Sequence, residues 1–172
     1  MTTEKRLNKI NLVMQSRQKN LTVVLEDIYD PHNAAAIWRT CEAYGVGKVC
    51  LIFDKQKPFN PKKIGKSSSA TANKWLDFEI YRKTSDCLDT LKKQKFKIIA
   101  TVLSKQAKNI YEFKWPEKVA LLVGNEHSGL SEEAIRLSDY QVYIPMQGMV
   151  QSLNVSVATA IFLSEIYRSR LG

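Results

Sequence analysis

No run of eighteen apolar residues occurs anywhere in the 172-residue chain, which excludes a conventional membrane-spanning helix and gives no reason to expect a membrane partner. The first twenty residues carry basic side chains but no continuous apolar stretch of signal-peptide length, so the expected location is cytoplasmic. Cysteine is scarce. Cys41, Cys50 and Cys87 are odd in number and lack CxxC spacing, so neither a disulfide framework nor a zinc site is encoded, and all three are expected as reduced, buried thiols. The two histidines, His32 and His127, lie far apart without a ligand pattern, and no metal is expected. Glycine is sparse where nucleotide folds require it. The segment IGKSS at 64–68 ends like a phosphate-binding loop, but Asn60 stands where that loop needs a glycine. The first apolar run is followed by DIYDPHNAAA, so the glycine-rich dinucleotide turn is missing too.

What is present is ordinary globular material, 44% hydrophobic and 25% charged, at a length that fits one core. Lys and Arg number 26 against 17 Asp and Glu, a net charge of +9 that attracts polyanions. The surplus is localised. Residues 1–20 hold five basic and one acidic side chain, 55–66 hold five basic and none acidic, and 92–108 hold six basic and none acidic. The stretch from Lys55 to Lys66 is expected to contact RNA.

Leu7, Ile10 and Met14 recur at helical spacing among Lys5, Arg6, Lys9, Arg17 and Lys19, which predicts a basic amphipathic helical extension over 1–20, ahead of a main domain over 21–172. Strand-like runs then alternate with helical segments. LTVVLE at 21–26, KVCLIF at 48–53, WLDFEIY at 75–81, KIIATVL at 97–103, VALLVG at 119–124 and QVYIP at 141–145 are the strands. Helices are expected around 34–44, at TSDCLDTLKKQ, from Ser131 and over about 153–168. Runs this continuously apolar belong to strands covered on both sides, so the fold class is α/β, a mainly parallel sheet with helices on both faces. Ligands of such sheets bind beyond the carboxyl ends of the strands, which directs attention to the segments after Glu26, Phe53, Leu103, Val123 and Ile144.

Three of these segments are unusual. In DPHNAAAIWRTCEAYG, Asn33 stands where a helix N-cap is expected, and Arg39 lies six residues on, about 240° around the helix and so on another face. In LLVGNEHSGLSEEA, Gly124 and Gly129 bracket Glu126 directly after a buried strand, where glycine permits a positive φ or the close approach of a ligand; a plain turn with a solvated Glu126 and Ser131 as N-cap is the simpler alternative. In IPMQGMVQSLNVSVATA, a break at Pro145 and a turn at Gly148 lead through Ser152 and Asn154 into a helix. Val155, Val157, Ala158, Ile161 and Phe162 of that helix are expected in the core.

Together the three segments resemble the SpoU class of RNA ribose 2'-O-methyltransferases in the SPOUT superfamily, most closely its TrmH tRNA guanosine branch, over nearly the whole chain. Asn33, Arg39, Thr40 and Gly45 match the first family motif, and Gly124, Glu126 and Gly129 the second. Ile144, Pro145 and Met146, with SLNVS at 152–156, match the third. The resemblance implies a C-terminal trefoil knot, a homodimer with the active site shared between subunits, and bound S-adenosylmethionine. The cofactor would be held near Thr101, Gly124, Ile144, Met146 and Leu153. It implies methyl transfer from a sulfonium to a ribose 2'-hydroxyl of tRNA, with position 18 of the D-loop as the expected target. Arg39 would act at the hydroxyl, and Asn33, Glu126, Ser152 and Asn154 would order the site. As a literal base Arg39 is awkward, because deprotonating a guanidinium at pH 7 costs about 7 to 9 kcal/mol; orienting a substrate phosphate bidentately suits it better.

His127 and Ser128 replace a Lys and a Thr frequent in the second motif, while the glycines and Glu126 remain. Only about twenty residues precede the first strand, whereas relatives acting on ribosomal RNA often carry a further N-terminal domain; this favours tRNA. Two alternatives stand beside the main reading. One is methylation of the tRNA wobble nucleotide at position 34, whose enzymes usually have Arg and Leu where Gln151 and Val155 stand; the other is a catalytically silent RNA-binding module.

Overall fold

The computed structural model describes residues 4–64 and 72–171. Seven strands form one sheet: β1 (Gln18–Glu26), β2 (Val46–Ile52), β3 (Asp77–Tyr81), β4 (Lys97–Thr101), β5 (Lys108–Asn109), β6 (Val119–Val123) and β7 (Tyr140–Tyr143). Among the described residues five α-helices accompany them: α1 (Glu4–Gln15), α2 (Pro31–Ala43), α3 (Thr84–Lys93), α4 (Glu132–Leu137) and α5 (Val155–Ser169). The order across the sheet is β3-β2-β1-β6-β4-β7-β5, and every pairing is parallel. All carboxyl ends therefore meet at one edge.

The strands alternate with period two, as pleating requires. Val23 and Leu25 of β1, Val49 and Leu51 of β2 and Leu121 of β6 face α2 and α5, where they meet Ile37, Trp38, Phe162 and Ile166. Their neighbours Val24, Cys50, Ile52, Ala120 and Leu122 face α3 and α4, against Cys87, Leu88, Leu91 and Ala134. Both faces of the central strands are thus dry, which is why they read as unbroken apolar runs. Removing one such side chain, for example Leu88→Ala, costs about 2 to 5 kcal/mol.

The chain fills the sheet out of order. β4 stands two places from β1, leaving a slot that β6 enters, and β7 then lies on the outer side of β4. The loops after β4, β6 and β7 converge at the carboxyl edge. Beside them stands the turn between β1 and α2, because β1 pairs with β6.

Several boundaries differ from those read in the sequence. Asn33 is not the N-cap of α2; Asp30 is, its carboxylate accepting from the His32 N–H at 2.8 Å, with Pro31 opening the helix. Proline at the first helical position moves the start of the helix upstream and frees the Asn33 side chain. Val157 is 49% exposed and does not enter the core, since it lies on the face of α5 turned away from the sheet. The two-residue β5 carries no apolar signal, and no sequence pattern predicts it. On α1, Leu7, Leu12, Val13 and Met14 are all exposed. The three cysteines are buried and free. No helix among the described residues is long and apolar enough to cross a membrane. Nor do the described residues contain a group of three His, Cys, Asp or Glu able to hold a metal.

Candidate active site

The site is assembled from four strand ends, those of β1, β4, β6 and β7. At the end of β6, the chain turns sharply through 124–129. A Cβ on Gly124 would lie 2.4 Å from the backbone of Gly129 and Leu130, and Gly129 has φ of +68°, so both positions need glycine. The turn is closed by reciprocal backbone hydrogen bonds between Asn125 and Gly129, at 3.0 and 2.9 Å. It points Glu126 at the start of α2. There the carboxylate accepts the Tyr29 N–H at 2.8 Å, the Asp30 N–H at 3.1 Å and the Asn33 Nδ2 amide at 2.9 Å. Partial burial pushes the Glu126 pKa up. The hydrogen bonds from Asn33, the Tyr29 and Asp30 backbone and its own N–H outweigh that effect and hold it below the usual carboxylate range. An ionised Glu126 at the positive end of α2 is the stable form.

The chain of bonds continues. Asn33 Oδ1 accepts from Asn154 Nδ2 at 3.1 Å, and Asn154 Oδ1 accepts the Ser156 N–H at 2.8 Å as the N-cap of α5. Glu126, Asn33 and Asn154, one from each motif and up to 121 positions apart in sequence, therefore form one continuous network. Its geometry is directional. With Glu126 accepting from the Asn33 amide nitrogen, the Asn33 carbonyl is left facing Asn154.

The network borders a cleft of about 820 Å³, within the range of sites that take cofactor-sized ligands. Nine of the ten predicted site residues line it: Asn33, Thr101, Gly124, Glu126, Ile144, Met146, Ser152, Leu153 and Asn154. Val102, Leu103, Val142, Ala158 and Phe162 add apolar wall. The Thr101 hydroxyl donates to the Leu122 carbonyl at 3.0 Å, leaving mainly backbone for a ligand. The exception is Arg39. It is exposed on α2, outside the cleft, with no side-chain hydrogen bond among the described residues.

Three supporting residues escaped the sequence reading. Asn125 donates from Nδ2 to the Asp27 carbonyl at 2.7 Å and accepts the His127 and Ser128 N–H groups at 2.8 and 3.0 Å. Asp27, at φ of +52°, accepts the Lys55 and Gln56 N–H groups, which ties the basic loop to the end of β1. Glu26, 2% exposed, receives the Thr84 hydroxyl at 2.5 Å and the Ser131 N–H and hydroxyl at 2.8 Å. Their one legible signal is position, since Glu26 ends β1, Asp27 follows it and Asn125 lies just beyond β6.

Comparison with known proteins identifies the family. The SpoU rRNA Methylase family model matches residues 20–164. The tRNA (guanosine(18)-2'-O)-methyltransferase of Thermus thermophilus is 39% identical over 169 residues, spanning 98% of this chain and 85% of that protein. The crystal structure of the A. aeolicus TrmH/SpoU tRNA modifying enzyme has a TM-score of 0.87 at 38% identity, covering 98% of this chain and 84% of that one. The SpoU methyltransferase AviRb of Streptomyces viridochromogenes, crystallised with the cofactor AdoMet, has a TM-score of 0.77 at 25% identity, covering 91% and 60%. A match over most of the length, in a chain whose three motifs close on one cleft, means that this protein belongs to the SpoU methylase family.

Proposed function

We propose that the chain is an S-adenosylmethionine-dependent tRNA guanosine 2'-O-methyltransferase acting at position 18 of the D-loop. The observation that carries this reading is the Glu126–Asn33–Asn154 network beside a cleft at the carboxyl edge of the sheet. The relatives named above support the substrate and the position. AviRb, crystallised with AdoMet, supports the cofactor.

The lining fits that cofactor. Gly124 and Gly129 allow the tight turn over 124–129 whose backbone lines one wall, and Ile144, Met146 and Leu153 supply an apolar surface. These residues with Thr101 would hold S-adenosylmethionine, which when bound supplies an electrophilic methyl group on a sulfonium. The protein's own task is then to place a ribose 2'-hydroxyl in line and let its proton leave. Arg39 is outside the cleft of its own chain. In a homodimer it would enter the cleft of the second copy, grip a substrate phosphate through two of its guanidinium N–H groups, and leave that phosphate or water to take the hydroxyl proton. The knotted path of the family and the shared site belong to the same proposal. So do a cytoplasmic setting and a basic N-terminal extension ahead of the domain; the boundary expected between 20 and 21 moves to the start of β1 at Gln18, which already pairs with Val46.

The test is methylation of tRNA with S-adenosylmethionine, read by nuclease digestion and mass spectrometry. A 2'-O-methylguanosine at position 18 is expected. A methyl on the wobble nucleotide would transfer the assignment to position 34, and a chain that neither binds S-adenosylmethionine nor methylates would be a silent binding module. At the same site, Arg39→Lys is expected to stay within a few fold of Arg39→Ala in single-turnover rate, because an ammonium lacks the bidentate fork. Full rescue by lysine would show that the fork is not what matters.

A further inference from the structure

His127 lines the cleft and Tyr29 packs against it from just outside the lining, two aromatic rings with no core to fill. Tyr29 is 61% exposed, and His127, which takes the place of the Lys frequent in this motif, is exposed beside it. Their centroids are 5.5 Å apart at an interplanar angle of 71°. In such an edge-on pair each ring keeps at least one face clear of the other. Leaving that much aromatic surface in water is unfavourable unless something covers it.

The backbone beneath both rings is tied down. The Tyr29 N–H is bound to Glu126 at 2.8 Å. The His127 N–H is bound to Asn125 at 2.8 Å, and Asn125 is bound back to Asp27 at 2.7 Å, two residues before Tyr29. The same Asp27 fixes the backbone of Lys55 and Gln56, whose loop exposes Lys55, Lys57, Lys62 and Lys63. An aromatic pair on tied backbone, joined through Asp27 to a tied basic loop, is the composition of a single-stranded nucleic acid site, where phosphates meet cations and bases meet rings. Preorganisation of this kind lowers the ordering cost of binding.

We infer that Tyr29 and His127 form a stacking platform for the base of the nucleotide whose ribose enters the cleft. The inference rests on the proposed RNA methylation and adds the subsite for the base. Stacking uses the π-face that every nucleobase has, so the platform contributes affinity and placement, with little choice among bases.

The experiment is tRNA binding and methylation by Tyr29→Ala, Tyr29→Phe and His127→Ala, with S-adenosylmethionine affinity measured in parallel. Tyr29→Ala is expected to weaken tRNA binding about tenfold to a hundredfold, and Tyr29→Phe to restore it, while cofactor affinity is unchanged in all three. The backbone N–H that serves Glu126 survives each substitution, so loss of a structural tie is not the cause. A transcript with an abasic ribonucleotide at the methylated position completes a double-mutant cycle. Wild-type protein should lose a similar factor on that transcript, and Tyr29→Ala should lose nothing further. Equal losses for Tyr29→Ala on intact and abasic transcripts would overturn the platform. Wild-type protein that methylates no RNA overturns the proposed function, and the platform with it.

Discussion

Glu126 shows how much a single carboxylate organises. It receives two backbone N–H groups and one side-chain amide from the first turn region of α2, so its charge compensates donors that the helix itself leaves unpaired. Glu126→Gln would set an amide NH₂ against some of these donors and is expected to cost about 1 to 3 kcal/mol, read as a lowered urea midpoint, together with most of the activity. The pH dependence has a definite sign. Because the folded pKa lies below the unfolded one, the contribution is fully present above about 4.3 and is lost as pH falls through the lower folded value. Thermal melts between pH 3 and 6 should therefore converge for wild type and Glu126→Gln at the acid end; a constant offset would mean that the charge is not what is bound. Gly124, Glu126 and Asn154 are legible in the sequence because glycine and an isolated acid after an apolar run are unusual there. Asp27 and Asn125 are not, because they act on the backbone of segments far away, and such partners have no sequence pattern.

Element by element, legibility follows apolar content. Strands β1, β2 and β6 announce themselves as continuous runs, whereas β5 is two polar residues held only by pairing with β7. The start of α2 is misread from the sequence because Asn33 is a good capping type, yet Asp30 followed by Pro31 is a stronger beginning. Helix α5 bears on the proposed dimer. Its periodicity identifies a core face, with Phe162, Leu163 and Ile166 buried, but Val157, expected on that face, instead sits half in water. An apolar residue left open on an otherwise packed helix fits the proposed contact between two copies. Val157→Asp is expected to shift sedimentation from dimer to monomer and to abolish methylation, since Arg39 would then have no second cleft to enter. Unchanged sedimentation would move the interface away from this face of α5.

Across the whole molecule, the α/β class and the useful edge of the sheet are readable from the sequence, but the strand order is not. Nothing in equally apolar runs says that β6 enters between β1 and β4, although this placement is what brings the second motif to the first. Charge gives a similar lesson. The basic stretch over 92–108 is contiguous in sequence yet divides in space. Lys92, Lys93, Lys95 and Lys97 gather at the end of α3 and the amino end of β4, and Lys105 and Lys108 follow its carboxyl end. At the amino end, Lys97 is paired with Asp139 at 3.2 Å. Exposed Lys62 and Lys63 belong to the loop anchored by Asp27 near the cleft. Phosphate contact is sequence-independent and releases counterions, so each lysine that touches RNA contributes about one unit to the slope of log affinity against log salt. Replacing Lys62 and Lys63 together with alanine should reduce the slope for tRNA by about two units. The same replacement at Lys92 and Lys93 should leave it unchanged, because those side chains lie at the opposite end of the sheet. An equal reduction from both pairs would show RNA reaching around to the amino edge and would require a contact surface longer than the cleft and its rim.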